Sequence, residues 1–339
     1  MKKLLFLLVA VVVTMSGCFN NSDNIVNVYT HRHYKADEEV YKEFTRQTGI
    51  KVNIIKSAAD QLISRLELEG ENTPADVLIT VDAGRLWRAK EKALLQPIES
   101  EILKENIPAH LKDKENFWFG FSYRTRAIVY SKERVDTSLL TTYEALTDTI
   151  WRGRFLPRSS SNEYNQSLMA SFIAHWGEEK AVAWTTAMVN NFTRIPKGSD
   201  TDIINEIANG VGDIALVNSY YLAKMYASAI ATEKAAAAKV GLYFPNQKDR
   251  GAHINISGVG VVKHAKHKEN AIKLVEFLSG EYAQKTFTEL NFEYPVNAKV
   301  EMCKTLNTWG TFKADTLDLS LLGKYNAQAV KIFDRAGWY

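Results

Sequence analysis

The chain has 339 residues, a net charge of +3 and an apolar content of 46%. Its basic residues are scattered, which excludes a nucleic-acid footprint, and its two cysteines supply neither a disulfide framework nor a cysteine metal site. After the first residues no apolar run reaches the length of a membrane span, and the length supports two packed lobes.

Met1-Lys2-Lys3, an apolar run from Leu4 to Val13 and then Met15-Ser16-Gly17-Cys18 form a secretory signal too short to cross a bilayer. Gly17-Cys18 resembles a bacterial lipoprotein box. Residues 1–18 are therefore expected to be a signal peptide, with Cys18 as the acylated first residue of the mature protein, and 19–24 a polar tether. Cys303, the other cysteine, is then left without an internal partner.

Ile25 to Thr30 is β-branched and reads as a first strand, followed directly by His31-Arg32-His33-Tyr34. Val40, Tyr41 and Phe44 give helical spacing, closed by Gly49. Ile50 to Lys56 and Ala75 to Thr80 read as the next two strands, with helices over Ala59 to Gly70 and Gly84 to Ala93. Alternating strands and helices with short links predict a parallel sheet, whose carboxyl end carries the polar loop after the first strand. Phe117 to Tyr130 is a long extended stretch, suited to crossing between lobes; Arg124 and Arg126 alternate along it and face one side.

Further on, Tyr143 to Leu146 reads as a small helix, Phe155 to Arg158 as a short strand, Ser159 to Asn162 as a polar loop, and Glu163 to Trp176 and Glu178 to Asn191 as helices split at Gly177. Asp202 to Ala208 is another helix. Ile214 to Val217 is a buried strand that Asn218 and Ser219 hand over to a helix starting at Tyr220; Ala235 to Ala238 either ends that helix or forms a loose segment. Val240 to Phe244 and Ile254 to Val262 are strands, the second a return crossing. Helices over Ala271 to Leu278, Tyr282 to Leu290 and Leu317 to Gly337 complete the chain. The pattern predicts an α/β bilobed clamp that closes on a ligand by a hinge. Lobe 1 is expected over 25–127 and 256–310, lobe 2 over 128–255, with 311–339 a C-terminal helical segment packed on both.

The cleft loops offer His33 and Tyr34, Arg124 and Arg126, Tyr164, and the pair Tyr220 and Tyr221. The pair sits at a strand-to-helix junction whose free N–H groups and positive helix end favour phenolate. Phenolates are hard, basic donors suited to ferric iron. Coordination deprotonates them, and a nearby arginine can balance charge or hold bicarbonate.

The motifs RHY (Arg32 to Tyr34), TGIKVN (Thr48 to Asn53), PAD (Pro74 to Asp76), RTRAIVY (Arg124 to Tyr130), NSYY (Asn218 to Tyr221), FPNQKDRG (Phe244 to Gly251) and HINISG (His253 to Gly258) occur in order along the chain. Together they resemble the periplasmic ferric-binding proteins of bacterial ABC iron transporters, over essentially the whole mature chain. The resemblance implies a type II periplasmic binding fold, α/β with two lobes joined by a two-strand hinge. It implies Fe(III) held by Tyr34, Tyr164, Tyr220 and Tyr221. His33 corresponds to a position that is a ligand in some relatives and not in others. Arg126 and Arg124 are the anion or charge partners for a synergistic carbonate or bicarbonate, and an inner-membrane permease with its ATPase are the partners. A monomer on the outer face of the cytoplasmic membrane or in the periplasm is expected, touching the membrane only through its lipid.

Other readings stay open at this point. A polyamine, thiamine or oxyanion binder would share the fold, and a ligand-sensing module would need the same clamp. An exported hydrolase finds no G-x-S-x-G or H-E-x-x-H, and no spacing recommends Asp200, His253 and Ser257 as a triad. Intact-mass measurement of the native protein is expected to find Cys18 acylated and N-terminal; a lipid-free start at another residue would remove the lipoprotein reading and leave export standing.

Overall fold

The computed structural model describes residues 24–339; the signal, Cys18 and most of the tether lie outside the described residues. Strands and helices alternate through the first third: β1 (Ile25–Thr30), α1 (Lys35–Thr48), β2 (Lys51–Lys56), α2 (Ala59–Glu69), β3 (Val77–Thr80), α3 (Ala83–Glu91) and the short β4 (Leu95–Gln96). The apolar spacing read from the sequence becomes burial here: Val40, Tyr41 and Phe44 of α1 and Leu62, Ile63 and Leu66 of α2 all face the core. Gly49 ends α1 with φ 72°, a left-handed conformation open to glycine at no steric cost. A helix at α4 (Glu101–Asn106) precedes β5 (Phe119–Ser131). It was not read from the sequence, since six residues carry too little periodicity to register.

The second lobe holds α5 (Glu163–Trp176), α6 (Glu178–Val189), α7 (Asp200–Ala208), β6 (Ile214–Asn218), α8 (Ser219–Ala227), α9 (Ala231–Lys239) and β7 (Val240–Tyr243). β8 (Ile254–Val262) returns the chain to α10 (Lys268–Ser279) and α11 (Glu281–Thr286), then α12 (Lys304–Asn307), α13 (Ser320–Lys324) and α14 (Asn326–Ala336).

β5 organises the architecture. Its first half pairs with β8, from Phe119 opposite Val259 to Thr125 opposite Ile254. From Arg126 onward it pairs instead with β6 on one side and β7 on the other. One strand therefore belongs to both sheets, and the sheet order runs β2-β1-β3-β8-β5-β6. The result is a bilobed α/β fold. The expected parallel sheet is realised only in β2, β1 and β3; β8 lies antiparallel to both β3 and β5, because it re-enters the first lobe from the second. The second lobe has its own apolar cluster around Val129, Ile203, Ile207, Val217 and Leu222.

Three local expectations are corrected. Phe155 to Arg158 is not a strand: only Phe155 bridges, to Phe192 and Ile214, since Pro157 lacks the N–H a ladder needs. The alanine run belongs to the separate helix α9, because the chain turns extended at Ser228 and folds back against α8. The C-terminal helix breaks at Tyr325 into α13 and α14. α13 packs on α3 of one lobe and α5 of the other, while α14 packs on α5 and α6.

The α13–α3 approach is close enough to require glycine. A Cβ on Gly323 would stand 2.4 Å from a Trp87 ring carbon and 2.8 Å from the Gly84 carbonyl oxygen. Gly323→Ala is expected to destabilise by about 1–3 kcal/mol through overpacking, read as a lower urea midpoint; an unchanged midpoint would show that α13 moves off α3 freely.

Candidate metal centre

Four tyrosines reach one point from the amino-terminal ends of three helices. Tyr34 is the N-cap residue of α1, immediately after β1 and its short turn, and its N–H donates to Asp37 Oδ2 at 3.2 Å. Tyr164 lies in the first turn of α5, where Asn162 Oδ1 caps the helix by accepting from the Tyr164 N–H at 3.1 Å. Tyr220 and Tyr221 open α8 directly after β6. Asn218 is the N-cap of α8 by backbone only. Its N–H donates to Asp200 Oδ2 at 2.9 Å, and its side chain makes no capping bond.

The hydroxyls converge. Tyr220 OH donates to Tyr164 OH at 3.3 Å and also interacts with the hydroxyls of Tyr34 and Tyr221. The Tyr34 and Tyr220 rings meet edge to face with centroids 6.5 Å apart, and Tyr220 and Tyr221 lie 4.4 Å apart. Tyr34 comes from the first lobe and the other three from the second, so the cluster spans the cleft. Tyr164 and Tyr220 are buried, at 8% and 2% exposure.

Burial governs their chemistry. It pushes the Tyr34 phenol up to about 12, helped by Glu293 and opposed by Arg32. It raises Tyr164 and Tyr220 well above 10, with the neighbouring phenols adding to the rise. Tyr221 is raised by burial and then by Asp200. Against the expectation that the helix end favours phenolate, desolvation of the charged form is the largest effect at each of the four phenols and favours the neutral form.

A cationic shell surrounds them. Arg32 is buried with its guanidinium 4.7 Å from the Tyr34 ring centroid, paired to Asp37 at 2.8 Å and Glu293 at 3.0 Å. Arg124, also buried, lies 5.2 Å from the Tyr164 centroid; its Nη2 donates to the Val81 carbonyl, and Nη1 has no partner among the described residues. Arg126 donates to Asp200 at 2.7 Å and Asn165 at 2.9 Å, and Arg158 takes the other Asp200 oxygen at 2.8 Å. Lys224 covers the Tyr34 and Tyr220 rings; burial pushes its ammonium below the usual lysine range, against the pull of Glu293 and Asp37. Asp82, at the end of β3, accepts from Ser167 of α5 and from Asn255, both at 2.6 Å, and so ties the two lobes together beside the site.

His33 is exposed, its ring centroid 5.3 Å from that of Tyr34 and its Nδ1 turned to the His31 carbonyl at 3.5 Å. Among the described residues no group of three or more His, Cys, Asp and Glu is placed to hold a metal. Of the residues named from the sequence, the structure brings the four tyrosines together, with His33 at their edge, Arg124 beside Tyr164 and Arg126 turned to Asp200. Sequence reasoning missed Arg158, Asp200, Glu293 and Asp82, which are far apart in the chain and carry no motif. Lys224 was also missed, although its place four residues after Tyr220 puts it on the same helix face.

Residues 39–314 match the model of a bacterial extracellular solute-binding protein family. The chain is 49% identical to iron uptake protein A1 of Synechocystis, over 92% of this chain and 87% of that protein. Its structure superposes with a TM-score of 0.90 on Trichodesmium IdiA (FutA) in complex with iron and citrate, at 51% identity over 93% of this chain and all of that one. Against the ferric binding protein of Campylobacter jejuni the TM-score is 0.88, at 39% identity over 93% of this chain and 100% of that chain.

The raised phenols also link to stability. Folding favours the neutral form, so this contribution is complete below the unfolded value near pH 10 and is lost as pH climbs toward about 12. The urea midpoint of the metal-free protein is expected to fall over that window, and less steeply in a Tyr34→Phe variant; parallel curves would show that this phenol is not held protonated.

Proposed function

The chain belongs to the bacterial extracellular solute-binding protein family, in its ferric-binding branch, and we propose that it captures Fe(III) with the phenolates of Tyr34, Tyr164, Tyr220 and Tyr221. The observation that carries this reading is the convergence of four phenol oxygens across the cleft, with Tyr220 OH 3.3 Å from Tyr164 OH. Four phenols held neutral by burial are poor ligands for a weakly charged solute. A small trivalent cation is different: it strips the protons, and its charge then stabilises four adjacent phenolates that would otherwise repel. Three helix amino-termini add partial positive charge where those phenolates form. His33, beside Tyr34 at the solvent edge, is the further donor in this reading.

Arg124 is the better supported anion partner, because its Nη1 is buried without a partner among the described residues, whereas Arg126 is engaged by Asp200 and Asn165. Carbonate, bicarbonate or a carboxylate such as citrate fits a guanidinium of that kind. A polyamine or thiamine reading finds less support: around the phenols Asp37, Asp82, Asp200 and Glu293 are each paired with arginine, which leaves Glu163 beside Tyr164 as the carboxylate with no ion pair among the described residues.

The protein on this reading is a binding component rather than an enzyme. It works outside the cytoplasmic membrane, anchored through Cys18, and delivers iron to an ABC permease and its ATPase. The lobes divide near 127/128 and 255/256, which the change of partner along β5 supports, and ligands from both lobes favour the closed state.

Tyr220→Phe and Tyr221→Phe are each expected to lose the phenolate-to-iron visible band or to weaken ferric binding by at least about tenfold, roughly 1.4 kcal/mol. Because metal binding must release the protons that burial retains, iron is lost as pH falls. Both variants should lose colour at higher pH than the parent, and three superimposable colour-against-pH curves would refute the assignment.

A further inference from the structure

Lys224 lies one helical turn beyond Tyr220 on α8. Its ammonium crosses the cleft: Nζ stands 4.4 Å from the centroid of Tyr34, which the other lobe carries, and 4.9 Å from that of Tyr220. The side chain is half-buried. The two cations most deeply tied into this shell have carboxylates of their own. Arg32 is bracketed by Asp37 and Glu293, and Arg126 shares Asp200 with Arg158. Lys224 makes no hydrogen bond and no ion pair among the described residues. A cation withdrawn from water without a partner is costly unless something nearby balances it; the faces of two aromatic rings and the pull of Glu293 and Asp37, which Arg32 already engages, balance it only in part.

The missing partner is supplied by the chemistry of the filled site. A ferric ion held by four phenolates keeps one net negative charge, spread over four oxygens, two of them on the rings that Lys224 covers. A charge of opposite sign at this range, at a half-buried position, is felt more strongly than at the open surface. Resting on the reading of the four tyrosines as the ferric site, we infer that Lys224 is the counter-charge of the loaded centre and so a determinant of how tightly it holds a trivalent ion. The role belongs to the ammonium and its placement between Tyr34 and Tyr220. It does not belong to Arg32, whose charge its own carboxylates already offset, nor to Arg126, which is turned to Asp200 and Asn165.

Chelator competition for ferric ion tests this with the parent, Lys224→Met, Lys224→Gln and Lys224→Arg. The two neutral variants are expected to hold iron at least about tenfold more weakly, and Lys224→Arg, which restores the charge on a side chain of similar reach, to stay within about threefold of the parent. Far-UV circular dichroism of the metal-free proteins identifies a variant that has failed to fold, and the two neutral side chains differ enough in polarity for one to report if the other does not. Neutral variants that match the parent overturn the proposal. So does an arginine variant as weak as the neutral ones, which would mean that lysine packing rather than charge is what matters. A parent that takes up no ferric ion defeats the tyrosine reading itself, and the assay reveals this before any variant is compared.

Discussion

The constraint on which this structure depends is the burial of four phenol hydroxyls against one another. Neutral, they can share hydrogen bonds, as Tyr220 and Tyr164 do. Charged, they repel and lose their hydration, which is why their acidities move so far from the ordinary tyrosine value. The site is consequently bistable in charge. On the proposed reading it is a neutral hydrogen-bonded cluster without a strongly charged cation and an anionic cage with one. Any further acidification of the phenols by the protein would leave the empty cleft with a cluster of like charges.

The rest of the architecture delivers these groups. β1 and β6 each run straight into a helix whose first residues carry a tyrosine, and α5 adds a third after a polar loop capped by Asn162. The convergence of three helix amino-termini supplies N–H dipoles without adding titratable groups. Asp200 holds the second-lobe side in register: it accepts from Arg126 of β5, Arg158 of the preceding loop and the Asn218 N–H at the end of β6. Arg32 does the equivalent for the first lobe, joining Asp37 of α1, Ser257 of β8 and Glu293 beneath Tyr34. Glu293 follows a π-helical turn and a left-handed Phe292, so an irregular stretch of backbone brings this carboxylate to the guanidinium.

Closure is built from contacts other than tyrosine as well. Asp82 of the first lobe and Ser167 of the second are hydrogen-bonded, and Ser167 lies three residues beyond Tyr164 on one face of α5, so the same contact seats a phenol. The C-terminal segment adds a second tie, with α13 lying between α3 and α5, and Trp338 Nε1 donating to the Arg158 carbonyl at 2.8 Å. The chain end thus buttresses a residue of the cationic shell.

The sequence by itself determined what is local. Hydrophobic spacing fixed β1, β2, β3, β6 and β8 and the helices between them, because burial periodicity is written residue by residue. The tyrosines were legible for a similar reason: each follows a strand or a polar loop at a helix start, and Tyr220 and Tyr221 stand side by side. What only the tertiary structure decided is long-range. β8 runs antiparallel to its neighbours because it returns from the other lobe. Asp200, Arg158, Glu293 and Asp82 meet across tens to hundreds of residues, and no spacing rule encodes such pairs. The state of the phenols was decided in three dimensions too. A helix end seen in sequence argues for phenolate, whereas the depth of burial, which is a property of the assembled lobes, raises all four phenols and favours the protonated form.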